Sequence, residues 1–88
     1  MVMKMKNKYN VQLVVPMLYE TYDILIPINK TIGEIVYLLS KALKDLSQGS
    51  FNDNSTLNLY NANEAICYNL DDFVYNTNIV NGSTLVLC

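Results

Sequence analysis

The chain contains no arginine and no histidine, and its 88 residues include only three glycines, two prolines and two cysteines. Each shortage removes a class of function. Without arginine, and with six lysines against eight acidic residues for a net charge of −2, there is no basic field of the kind that nucleic acid requires. Without histidine, Cys67 and Cys88 form no ordinary zinc site, and neither thiol has an imidazole to activate it. Two cysteines make no disulfide framework, which fits reduced thiols in a reducing compartment. No apolar run reaches membrane-spanning length, since the longest, Val11–Leu18, is short and carries Pro16. No stretch reads as a secretory leader, so a cytoplasmic location without direct membrane insertion is expected. Neither the P-loop nor the GxGxxG pattern occurs. Adjacent Asp71 and Asp72, without histidine or further acids nearby in sequence, suit a turn or cap better than metal binding or acid–base work. No catalytic residue, metal or cofactor is expected, and the chain does not read as an enzyme.

What is present is a foldable sequence. Apolar residues make up 51% and charged residues 16%, which favours one globular domain over disorder. Residues 1–8 read as a flexible lead-in and residues 9–88 as the domain. The lead-in carries Lys4, Lys6 and Lys8. They suit either a solvated arm or a weak contact with an anionic surface or partner, at about 1 kcal/mol per basic residue. Twelve asparagines, seven tyrosines and an all-lysine basic set fit an AT-rich coding bias, a pointer to a low-GC bacterium.

Period-two alternation predicts a first strand from Tyr9, with Val11, Leu13, Val15 and Met17 on one face and Gln12 and Val14 on the other. Pro16 should weaken it, having no N–H for a ladder. A second strand follows, with Tyr22, Ile24, Ile26 and Ile28 inward, and the short link between the two predicts a hairpin. Thr31 and Glu34 form a capping-box pattern for a helix. Its apolar stripe is Ile32, Ile35, Val36, Leu39, Leu43 and Leu46, with Lys41 and Asp45 spaced i, i+4 on the solvent side, and Gly49 placed to end it. After a polar loop, Thr56–Asn61 predicts a short strand with Leu57 and Leu59 inward, and Ala65–Tyr68 a short edge strand. Leu70–Ile79 is an irregular crossover. Val80–Ser83 turns the chain into a last strand, Ser83–Leu87, with Leu85 and Leu87 inward. The order is an α+β ββαββ arrangement: a mixed sheet of four to five strands with one packed helix.

This order, together with Val74-Tyr75-Asn76-Thr77-Asn78-Ile79 and the closing Asn81-Gly82-Ser83-Thr84-Leu85-Val86-Leu87, resembles ubiquitin-like β-grasp domains. The block Ile24–Leu46 and the closing strand resemble in particular the YukD-like group, small stand-alone ubiquitin-like proteins associated with type VII (Esx) secretion in Gram-positive bacteria. Thr77 and Val74 stand where the family pattern has Tyr and Leu. The resemblance implies a non-conjugated accessory protein of a secretion machine. In actinobacteria a similar domain is fused to a multi-pass membrane component. This chain carries no such span, so the resemblance implies docking on the apparatus through a protein partner, peripheral at the inner face of the membrane. Conjugation and sulfur transfer in related proteins use a tail ending in two glycines. Gly33, Gly49 and Gly82 include no adjacent pair, and the last strand runs to Cys88. A degenerate sulfur carrier or modifier with a lost or truncated tail is the alternative.

The candidate functional residues therefore form a surface. Ubiquitin-type recognition uses an apolar patch on the exposed sheet face. Its matching positions would lie near Asn58, Val86, Cys88 and Leu18–Tyr19, and Asn58 would interrupt it. The off-face apolar residues expected to bind a protein are Val14, Leu25, Tyr60 and Val86 on the sheet, or Tyr37 and Leu38 on the helix flank, where they could instead cover the loop around Phe51. Aromatic and aliphatic residues with little charge around them are the composition of an interface core. The short edge at Ala65–Tyr68 offers a site for weak self-association.

Overall fold

The computed structural model describes residues 7–48 and 57–88. Five strands and one helix are present among them: β1 (Lys8–Val15), β2 (Glu20–Pro27), α1 (Ile32–Leu46), β3 (Leu59–Asn61), β4 (Ile66–Cys67) and β5 (Thr84–Leu87). They form one sheet in the order β2-β1-β5-β3-β4. β1 and β5 run parallel at its centre, and the remaining neighbours are antiparallel. The chain order is ββαβββ, so the α+β mixed sheet with one packed helix is the one the sequence predicts, with the short edge strand counted as β4. β1 begins at Lys8, paired with Pro27, so this residue of the expected lead-in belongs to the sheet; residues 1–6 lie outside the described residues.

Alternation explains the core. Val11, Leu13 and Val15 of β1, Ile26 of β2, Leu59 of β3, and Leu85 and Leu87 of β5 point to one face and are almost wholly buried. Ile32, Ile35, Val36 and Leu43 of α1 close over that face, with Leu39, Tyr22, Ile24 and Ile28 partly buried at its margin. Val74 and Ile79 of the crossover complete the cluster. Ser40 sits inside the helical stripe, where its hydroxyl donates to the Val36 carbonyl at 2.8 Å and so costs no unpaired group.

Two expected inward residues are not inward. Met17 breaks the period because Pro16 ends β1 and begins a 3-10 turn, Pro16–Leu18, which closes on Tyr19 in the left-handed region at φ 55°. Leu46 is 66% exposed. It lines an open cleft with Met17, Leu18 and Tyr22, at the end of the helix beside the turn that carries Met17. Gly49, the expected helix stop, lies outside the described residues, as does Thr56; Gln48 already adopts φ 55°. β3 is assigned from Leu59, but the backbone pairing continues one step earlier through Asn58 and Cys88, whose two N–H···O bonds measure 3.0 and 3.2 Å.

The start of α1 is held by the crossover. Thr31 and Glu34 form the reciprocal cap: the Glu34 N–H donates to Thr31 Oγ1 at 3.2 Å and the Thr31 N–H donates to Glu34 Oε1 at 2.9 Å. The Ile32 and Gly33 N–H groups donate to the Asp72 and Leu70 carbonyls at 2.8 and 2.9 Å. Gly33 permits this approach, since a Cβ there would sit 3.1 Å from the Leu70 oxygen. At the opposite end of the crossover, Asn10 of β1 grips the turn before β5. Its N–H donates to Asn81 Oδ1 at 2.9 Å and its carbonyl accepts from the Gly82 N–H at 2.8 Å.

A polar network ties β3 to the crossover. Asn61 Nδ2 donates to the Tyr68 hydroxyl at 3.0 Å, and that hydroxyl donates to Asn78 Oδ1. Asn61 Oδ1 accepts from the Asn63 and Glu64 N–H groups at 2.9 and 3.0 Å, which fixes the turn between β3 and β4.

Candidate protein-interaction surface

The face of the sheet opposite α1 is built by the alternate residues of the same strands. Register aligns Thr21, Val14, Val86, Tyr60 and Cys67 in one row across all five strands. Adjacent strands lie about 4.8 Å apart, so Val14, Val86 and Tyr60 span about 10 Å side by side. All three are half-buried, which is the condition of side chains that lean on one another and still present atoms outward. The next row, Asp23, Gln12, Thr84 and Ala62, is polar except at its end.

The expected sheet residues therefore separate into two places. Val14, Tyr60 and Val86 are contiguous. Leu25 is on the same face but pairs with Asn10, about 13 Å along β2 from the row, with the Asp23–Gln12 pair between. It is 62% exposed. The position of β3 beside Val86 is Tyr60, not Asn58, which pairs with Cys88. The expected polar residue Asn58 therefore stands on the same face one pair further along, opposite Cys88, and adjoins the row without dividing it.

Tyr60 has its own chemistry. The Cys67 thiol beside its hydroxyl holds the phenol above the ordinary tyrosine value, first through charge and then through their hydrogen bond; burial and Cys88 add to the effect and Asn58 opposes it. The phenol thus stays a neutral donor. Both cysteines are free and exposed. They flank β3 from β4 and β5, two strands or about 10 Å apart, beyond the roughly 7 Å Cα separation that a disulfide spans. Among the described residues no group of three or more His, Cys, Asp or Glu could hold a metal ion.

Tyr37 and Leu38 lie on α1, on the other side of the molecule. Lys41 Nζ sits 5.4 Å from the centroid of the Tyr37 ring, one turn on, a cation–π contact. Leu38, Leu70, Glu34 and Tyr37 line an open cleft of about 540 Å³ beside the start of the helix. The Glu34 carboxyl is held below its usual range, chiefly by the backbone N–H of Thr31. Leu70 is not among the residues that sequence pattern singles out; Gly33 in the first helical turn is the available sign that a second segment packs closely there. Phe51 lies outside the described residues.

No family model and no curated protein matches the chain. Solved structures do. The N-terminal ubiquitin-like domain of the 4931431F19Rik protein superposes with a TM-score of 0.72 at 15% identity, over 96% of this chain and 76% of that one. The architecture is a ubiquitin-like β-grasp. The ubiquitin-like domain of the Mycobacterium tuberculosis type VII secretion system protein EccD1 matches this ubiquitin-like domain with a TM-score of 0.59 at 17% identity, over 91% and 96% of the two chains. A chain of the ESX-5 inner membrane complex gives 0.69 at 10% identity, with 94% of this chain covering 21% of that one. The fold also superposes on a chain of toluene 4-monooxygenase in complex with 4-bromobenzoate, with a TM-score of 0.75 at 4% identity, over 91% and 95%. Likeness at these identities is likeness of fold. Among the described residues, no helix of this ubiquitin-like domain is long and apolar enough to cross a membrane.

Proposed function

We propose that this ubiquitin-like domain is a non-catalytic docking module, an accessory component of a type VII secretion apparatus in a Gram-positive bacterium, of the YukD-like kind. The observation that carries the reading is the contiguous Val14–Val86–Tyr60 row on a sheet face that α1 does not cover. A rigid sheet offers such a row at little entropic cost, since its backbone is already ordered. Tyr60 contributes an aromatic body with a neutral hydroxyl at its tip, a common anchor at interfaces. The fold shared with a domain of EccD1 and a chain of the ESX-5 complex supports a protein partner in a membrane secretion machine. In this reading the chain sits in the cytoplasm and reaches the inner face of the membrane through that partner. The helix flank at Tyr37 and Leu38 is the alternative docking face.

The test is an affinity pull-down from the native host, with the bound proteins identified and the bait weighed intact. Recovery of unmodified bait with secretion-ATPase or membrane components, lost for Tyr60→Ser and Val86→Ser but kept for Leu38→Ser, supports docking through the sheet. Loss for Leu38→Ser alone moves the site to the helix flank. Covalent adducts or an adenylating enzyme overturn the reading in favour of a modifier or sulfur carrier.

A further inference from the structure

Twelve asparagines occur in the chain, and only Asn81 precedes a glycine. Glycine has no Cβ to shield its amide, so an Asn-Gly pair is the arrangement in which the backbone nitrogen most readily reaches the preceding side chain. We propose that Asn81–Gly82 is a self-modification site whose chemistry is gated by the fold.

In the reaction, the Gly82 backbone nitrogen loses its proton and attacks Cγ of Asn81. A C–N bond forms in a five-membered succinimide, and the bond from Cγ to Nδ2 of Asn81 breaks. The amide nitrogen leaves as ammonia, carrying the displaced proton. Water then opens the ring to aspartate or isoaspartate. Nothing is oxidised or reduced, and water is the only co-reactant.

Both reacting groups are engaged by a single residue of another strand. Asn10 donates its N–H to Asn81 Oδ1 at 2.9 Å, which ties the side-chain amide to β1. The Asn10 carbonyl accepts from the Gly82 N–H at 2.8 Å, so the nucleophilic nitrogen keeps its proton. Two further bonds close the turn: the Ser83 N–H to the Val80 carbonyl at 3.1 Å and the Val80 N–H to Ser83 Oγ at 2.9 Å. Gly82 is exposed and at φ +89°, and no atom lies within 4 Å of where its Cβ would be, so sterics do not protect the site. Protection comes from the Asn10 clamp. The reaction therefore waits until β1 and the turn before β5 separate. Isoaspartate puts an extra methylene into the backbone shortly before Thr84, the first residue paired with β1. A molecule converted while open would thus be kept from closing in the same register.

The test compares the purified protein in mildly alkaline buffer with the same protein in concentrated urea. Peptide mapping follows the exchange of an amide for a hydroxyl at each asparagine. Conversion at Asn81 is expected to be at least about tenfold slower in the native protein, because only the opened fraction reacts. Equal rates in both conditions, or conversion in urea that falls mainly on other asparagines, overturn the proposal. Leu85→Ala, which loosens β5 without touching the pair, should convert faster than wild type in native buffer and at the wild-type rate in urea. No acceleration in native buffer overturns gating by the β1–β5 junction.

Discussion

The two faces of the sheet are made by the same strands and differ in how they are specified. The inner face is a property of composition: apart from Glu20 and Asn61, the alternate residues of β1, β2, β3 and β5 that face α1 are apolar, and most are almost wholly buried. The outer face is a property of register. Val14, Val86 and Tyr60 come from three strands far apart in sequence and become neighbours only because β5 inserts between β1 and β3. The first face holds the molecule together, and the second carries the proposed function. Mutations should separate them.

The largest effect belongs to the inner face. Leu13→Ala removes a side chain that is 1% exposed, and should lower the unfolding free energy by about 2–5 kcal/mol in a denaturant titration. Next comes the polar network at the sheet's end. Asn61→Ala leaves the Asn63 and Glu64 amides and the Tyr68 hydroxyl short of a partner, a loss of about 1–3 kcal/mol. Burial raises the Tyr68 pKa. A raised value means that its contribution is intact below the ordinary tyrosine range and is lost as pH climbs through the folded value. Wild type should therefore lose stability in the alkaline limb of a pH–melting series, and Tyr68→Phe should flatten that limb. Thr31→Ala removes the helix cap and should cost about 1 kcal/mol. The depressed Glu34 carboxyl gives the opposite sign: its contribution is present above the ordinary carboxylate value and fades as pH falls through the folded one. Thr31→Ala should lessen that acid-side loss. The smallest effect on stability is reserved for the outer face. Val86→Ser should stay within about 0.5 kcal/mol of wild type while abolishing partner capture. A large drop in its melting temperature would show that the two faces are not separable.

Much of this division is legible in the sequence. The capping box, most of the helical stripe and the inward residues of β1 and β5 follow from local spacing, and they stand where that spacing puts them. Met17 and Leu46 depart from it at element ends: Met17 lies in the 3-10 turn that Pro16 begins, and Leu46 is the last residue of α1. Tyr60 reads as a surface candidate but not as the neighbour of Val86, since the pairing of β3 with β5 bridges a crossover with no period of its own. The same holds for the link from Asn61 through Tyr68 to Asn78, and for the grip of Asn10 on Asn81. Each joins polar residues that look like ordinary loop composition until the fold is closed.

The start of α1 has a consequence of a different kind. A helix normally offers its first amides as a cradle for anions. Here the Ile32, Gly33 and Glu34 amides are already bonded to the Asp72 carbonyl, the Leu70 carbonyl and the Thr31 hydroxyl. The positive end of the helix is spent on the protein's own crossover, which closes this end of the domain to phosphate and carboxylate ligands. A partner that recognised the helix flank would meet Tyr37, Leu38 and Leu70 beside the side-chain charges of Lys30, Glu34 and Asp71, and not free helix amides.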